Sequence, residues 1–256
     1  MLFPPHGMIG RFLQRRSVAR WRAATRDAET TRLTDLEQQV AMAKQTSRRI
    51  RDFRAAASSR LSAPRRGQKN FPTPTGTDWQ WRPKPWAFEC RDLSLAPARA
   101  KDSITNELVI FHDCPLGEVS LTQSPNMRNI DLSAHIIALE VFHFAGSYLS
   151  LVIEIPASSC EGLKKSHLIR LQTTIERERP TPIYARLNIK HGPNTEQILL
   201  TLPDDDEAMV EFDLAYSQLI AERAERMWID LMIGAPAMNK ILVRDLTLSR
   251  YPRAEI

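Results

Sequence analysis

Residues 135–155, HIIALEVFHFAGSYLSLVIEI, decide how this chain is built. Both ends of the stretch alternate apolar and polar residues, the period of a half-buried strand. Leu149, Leu151, Ile153 and Ile155 recur at every second position, and that period places all four on one side of a sheet. Between the two runs, Phe144-Ala145-Gly146-Ser147-Tyr148 is predicted as a compact hairpin turn.

The same alternation recurs at 106–112, 118–123, 167–175, 183–190, 209–214, 227–233 and 240–248, each run bounded by turn residues. Only 156–165 and 215–226 read as short helices, so no strand–helix–strand rhythm is present. Short strands separated by frequent turns predict a mainly β fold, an antiparallel β-sandwich of jelly-roll type over residues 88–256.

Before this domain the pattern and the charge both change. Residues 1–70 carry 16 Lys+Arg against 5 Asp+Glu, while residues 71–256 carry 19 against 25. The overall charge of +5 therefore hides two opposite surfaces. No proline lies between His6 and Ala63, and Ile9, Phe12, Leu13, Val18, Trp21 and Ala24 fall mostly at helical spacing among arginines. Thr34-Asp35-Leu36-Glu37 matches a capping box that would start a second helix, along which Leu33, Leu36, Val40, Ala43, Ser47, Ile50, Arg54, Ala57 and Leu61 step by three and four. Residues 1–62 are thus expected to be a basic amphipathic helical arm, with Ser47 and Arg54 weakening any coiled-coil seam. Residues 63–87 follow as a Pro- and Trp-rich linker holding Pro64, Pro72, Pro74, Pro83 and Pro85. Trp79 and Trp81 share a face of it if it is extended, either as a stacking platform or as rings that fasten the linker to the sandwich.

A resemblance is carried by Val210-Glu211-Phe212-Asp213-Leu214-Ala215-Tyr216, Trp228-Ile229-Asp230-Leu231-Met232, Pro236-Ala237-Met238-Asn239 and Val243-Arg244-Asp245-Leu246-Thr247-Leu248-Ser249-Arg250. With Phe111-His112-Asp113-Cys114, Leu149-Ser150-Leu151 and the loop from His191 to Gln197, these segments resemble an uncharacterised bacterial family of unknown function. The resemblance covers nearly the whole chain and implies no activity. The order of the C-terminal strands is also similar to galactose-binding-like jelly rolls, which implies an interaction module and transfers no binding residue.

Several chemistries find no support in the residues. Cys90, Cys114 and Cys160 form no CxxC pair, which argues against both a zinc site and a disulfide framework and favours a reducing compartment. His112, Asp113 and Cys114 are raw material for a thiol nucleophile, but neighbours on a strand point to opposite faces. The other histidines stand singly without metal-ligand spacing, and Asp204-Asp205-Asp206-Glu207 lacks the alternation and glycine of a calcium loop. No catalytic residue, metal or cofactor is therefore expected. The N-terminus shows no apolar secretory core and no run is long enough to span a bilayer, so the expected location is the cytoplasm, with the arm able to hold the protein peripherally on the inner membrane surface.

Two functional surfaces are expected. Arg11, Arg15, Arg16, Arg20, Arg22 and Arg26 suit an anionic surface, a membrane or an acidic protein, or else the arm packs on its own or a second subunit. Sequence-specific nucleic-acid readout is disfavoured because no recognition motif is present. The polar strand face of Tyr184, Arg186, Asn188 and Lys190, with His191, Asn194 and Glu196 in the adjoining loop, suits glycan hydroxyls. The expected function is a non-enzymatic binding or assembly module working through the arm, the alternative being a carbohydrate-binding or carbohydrate-active sandwich.

Overall fold

All nine runs picked out by alternation are strands, and four further strands join them in a computed structural model that describes residues 7–62, 71–90, 94–128 and 130–253. In chain order these are β1 (Trp79–Trp81), β2 (Ser94–Leu95), β3 (Ser103–Thr105), β4 (Leu108–His112), β5 (Val119–Pro125), β6 (His135–Val141) and β7 (Leu149–Ile155). They continue as β8 (His167–Arg177), β9 (Ile183–His191), β10 (Asn194–Thr201), β11 (Glu207–Asp213), β12 (Ala224–Ile233) and β13 (Asn239–Pro252). The first sheet runs β11-β8-β13-β6-β5-β2 with β1 added on β13, and the second runs β10-β9-β12-β7-β4-β3. Every pairing is antiparallel. The result is the jelly-roll type sandwich read from the sequence. Its core lies between the sheets, where Leu108, Leu121, Leu139, Ile153, Leu187, Ile229 and Leu248 are each fully buried.

The pairing overturns the predicted hairpin at 144–148. β6 belongs to the first sheet and β7 to the second, so the turn is a corner between layers. A carboxylate holds that corner. Asp113 accepts from Ser147 N at 2.7 Å, Ser147 Oγ at 2.5 Å and Tyr148 N at 3.2 Å. Gly146 is required there, because a Cβ would sit 2.3 Å from Asp113 Oδ1 and 2.8 Å from Cys114 N. The hydroxyl of Ser147, helped by the two backbone amides, holds the Asp113 carboxyl below its ordinary value. His112 turns instead to Ala98 O at 3.1 Å and to Cys114 N at 3.2 Å, an arrangement that locks the end of the strand.

Residues 79–87, expected within the linker, lie inside the sandwich. β1 pairs Trp79 with Arg250 and Trp81 with Leu248, and α3 (Lys84–Ala87) follows. Trp86 is fully buried and donates to Val243 O at 2.8 Å. Next to it β13 bulges between Val243 and Asp245, and the bulge turns the Asp245 carboxylate to Arg82, which is fully buried and grips it through Nε at 2.8 Å and Nη2 at 2.7 Å. Burial pushes the Asp245 carboxyl up against the pull of Arg82. The rings of Trp79 and Trp81 do share a face, with centroids 6.3 Å apart, and Trp81 is buried in the core.

The chain divides into two compact units, residues 1–53 and 54–256. The first contains α1 (Met8–Asp27) and the start of α2 (Leu33–Ser62). The second helix begins at Leu33, so Thr34 lies in its first turn and not at the cap, and Leu36 N bonds Arg32 O at 2.9 Å. Its apolar stripe is incompletely covered: Leu33 is 78% exposed, Val40 45% and Ile50 55%. The side chains of Arg54 and Leu61, expected in the same stripe, lie outside the described residues.

Candidate functional site

The outer face of the second sheet carries a groove of about 780 Å³. It exists because β12 and β7 alternate two kinds of residue. Met227, Ile229, Leu231 and Ile233 point into the core, so Arg226, Trp228, Asp230 and Met232 point out. Likewise Ser150, Val152 and Glu154 of β7 face away from Leu151, Ile153 and Ile155. Register then assembles rows across the sheet. Leu199, Arg186, Asp230 and Val152 form one, Trp228 and Glu154 part of a second, and Tyr184, Met232, Ser150 and Phe111 a third.

Each groove arginine is paired with a groove carboxylate. Arg186 reaches Asp230 Oδ2 through Nε at 2.9 Å and Nη2 at 2.6 Å, and Asn188 Nδ2 supports the same oxygen from beneath at 3.1 Å. Arg226 binds Glu154 through Nε at 3.0 Å, and its guanidinium carbon lies 5.0 Å over the Trp228 ring. The hydrogen bond that Arg226 donates to Glu154 raises its guanidinium above its ordinary value. These four are the charged residues of the lining, so its formal charge is zero. Aromatic and aliphatic surface fills the space between them, with Tyr148 51% and Leu199 56% exposed at the margins. One buried polar atom of the lining is left over: Ser150, only 7% exposed, has an Oγ with no hydrogen-bond partner among the described residues.

Of the residues expected to bind a ligand, Tyr184 and Arg186 line the groove. Asn188 is buried under it, with Oδ1 unpartnered among the described residues. The rest are placed elsewhere. Lys190 pairs with Glu225 at 2.9 Å, and that bond holds Glu225 below its ordinary value. His191 shares the inward parity of Ile189 and is buried, Glu196 accepts from Gln218 N at 3.0 Å, and Asn194 sits exposed at the β9–β10 turn. Trp228, Asp230, Glu154 and Arg226 were not singled out as a site, although their parity opposite the core residues was readable.

The arginines of the arm separate into two sets. Arg16 lies 5.7 Å over Phe12 and Arg20 lies 5.3 Å over Trp21, with Arg20 Nη2 also 2.9 Å from Met42 Sδ on α2. Arg11, Arg15, Arg22 and Arg26 are exposed. No helix of the described residues is long and apolar enough to cross a membrane, and among them no cluster of His, Cys, Asp and Glu could hold a metal ion.

Several solved structures are similar to part of the chain. The family 11 carbohydrate-binding module from Clostridium thermocellum, solved with a β-1,3-1,4-mixed-linked tetrasaccharide, is 12% identical, covers 59% of this chain and 92% of its own, and has a TM-score of 0.38. The CBM22-1 xylan-binding domain from Paenibacillus barcinonensis gives 8% identity, 63% and 95% coverage and a TM-score of 0.36. A C-terminal family 22 module of Clostridium thermocellum gives 7%, 73% and 99%, with a TM-score of 0.37. Likeness at these values says nothing about what this groove holds. No curated protein matches the chain. A family model does match, from residue 1 to residue 256, and the chain accordingly belongs to DUF6478, a family of unknown function.

Proposed function

We propose that the chain is a binding module whose ligand is a neutral saccharide held along the groove of the second sheet. The observation that carries this reading is the alternation of ring faces with ion pairs of zero net charge. A sugar is amphipathic in the same way: its C–H faces pack on aromatic rings, and its hydroxyls both donate and accept. Trp228 and Tyr184 supply rings, and the pairs supply fixed donors and acceptors whose partners already orient them. An anionic ligand would have to displace Asp230 or Glu154 from its arginine, and a cationic one the reverse; a neutral ligand needs neither. Ser150 Oγ offers one more hydrogen bond that the protein itself leaves unmade.

Calorimetry and affinity electrophoresis with soluble neutral β-glucans, xylans and galactans test the reading on the full chain. Binding is expected to weaken about thirtyfold or more in Trp228→Ala, the scale of an aromatic hot spot, and to stay unchanged in Asn194→Ala, which lies off the groove. No binding anywhere in the panel, or binding that survives both Trp228→Ala and Tyr184→Ala, overturns it. Release of new reducing ends from a bound glycan would replace the binding module with a carbohydrate-active enzyme.

A further inference from the structure

A different surface, independent of the groove, lies on α1. Arg11, Arg15, Arg22 and Arg26 are spaced four, seven and four residues apart. At 3.6 residues per turn these offsets bring all four within roughly 60° of arc, along a strip about 22 Å long. None of the four has a carboxylate partner among the described residues, and α1 contains no lysine and a single acid, Asp27. The remaining two arginines are turned aside onto Phe12 and Trp21, and Arg20 also meets Met42 of α2. The four-arginine face is thus the side away from that contact.

We infer that this strip is a docking surface for a phosphodiester backbone, read by charge and spacing and not by base sequence. Four guanidiniums spread over about 22 Å cannot converge on one small anion, so the partner has to be an extended polyanion. Arginine without lysine favours phosphate, whose oxygens match the two-pronged guanidinium. A lipid surface fits less well, because an interfacial helix needs a broad apolar face beside its basic one. Here the exposed large apolar side chains form no single face: measured from Arg11, Val18 lies at about −20°, Phe12 at about 100° and Leu13 at about 200° around the helix.

Fluorescence anisotropy of the full chain with a labelled mixed-sequence 20-nucleotide single strand, and with its duplex, tests the inference. Neutralising four phosphates predicts that affinity falls about 50-fold for the single strand and about 150-fold for the duplex between 50 and 200 mM salt. Shuffling the sequence is expected to change affinity less than twofold. Replacing Arg11, Arg15, Arg22 and Arg26 together by Gln should abolish binding while circular dichroism shows the helix kept, and Arg16→Gln with Arg20→Gln should leave most of it. Binding unchanged in the fourfold variant overturns the proposal, as does equal binding of poly-glutamate. So does capture by phosphatidylserine vesicles without binding to either oligonucleotide.

Discussion

The two units of this protein use arginine in opposite ways. In the sandwich, most of the described arginines are tied to carboxylates, among them Arg82 to Asp245, Arg170 to Glu211, Arg186 to Asp230, Arg226 to Glu154, Arg244 to Glu176 and Arg250 to Asp78. On α1, the four arginines of one face have no such partner among the described residues. A neutralised arginine is a rigid part that holds a strand, a bulge or a groove in shape. An unneutralised one on a solvated helix adds little to stability and keeps its full charge for a partner.

That contrast predicts where the protein breaks. The largest effect is expected from truncation. A chain beginning at residue 71 retains β1, Arg82 and Trp86 and is expected to melt cooperatively with a β-type circular dichroism spectrum. One beginning at residue 88 loses the fully buried side chains of Arg82, Trp86 and Ala87 and one strand of the first sheet, and is expected to be insoluble or to lack a cooperative transition. A well-folded 88–256 fragment would show that the inserted segment is dispensable.

Next comes the buried pair. Arg82→Ala strands Asp245 in a site where it has lost its cation, a change expected to cost about 3–5 kcal/mol, read as a lower denaturant midpoint. The fourfold Gln variant of the α1 strip is expected to leave that midpoint where it was. Equal losses in the two variants would erase the distinction between structural and available arginine.

The smallest effect is expected at the corner. Asp113 has a folded pKa below its ordinary value of 3.8 because the Ser147 hydroxyl and two amides bind its ionised form. A depressed carboxylate contributes stability that is fully present above the unfolded value and is lost as pH falls through the folded one. Acid unfolding of Asp113→Asn should therefore lose part of its steepness below about pH 4, while stability at neutral pH drops modestly. An acid limb identical to that of the parent chain would show that the corner is held by Gly146 and packing alone.

Much of the sandwich was legible because alternation reports a face. Leu149, Leu151, Ile153 and Ile155 had to point one way whatever lay beside them. Alternation does not name the neighbouring strand, and this is why 135–155 read as a hairpin although β6 and β7 lie in different layers. β1 was missed for a related reason: in so short a strand surrounded by prolines, the local signal reads as a linker, and only its pairing to β13 and the Arg82–Asp245 contact draw it inward. The groove was half legible. Tyr184 and Arg186 stood out on their strand, but Asp230 is 44 residues from Arg186, and Glu154 is 72 from Arg226. No spacing rule joins residues so far apart.

By itself, then, the sequence determined the periods and the charges: strands of alternating apolar residues from 106 onward, helices before the sandwich, and the segregation of positive charge into residues 1–70. These follow from local chemistry, since period and composition act on a residue and its near neighbours. Tertiary structure alone decided which strands meet, which arginines are neutralised and where a ring lies beside an ion pair. Those outcomes depend on contacts between segments distant in sequence, whose geometry is set only when the two sheets close over a shared core.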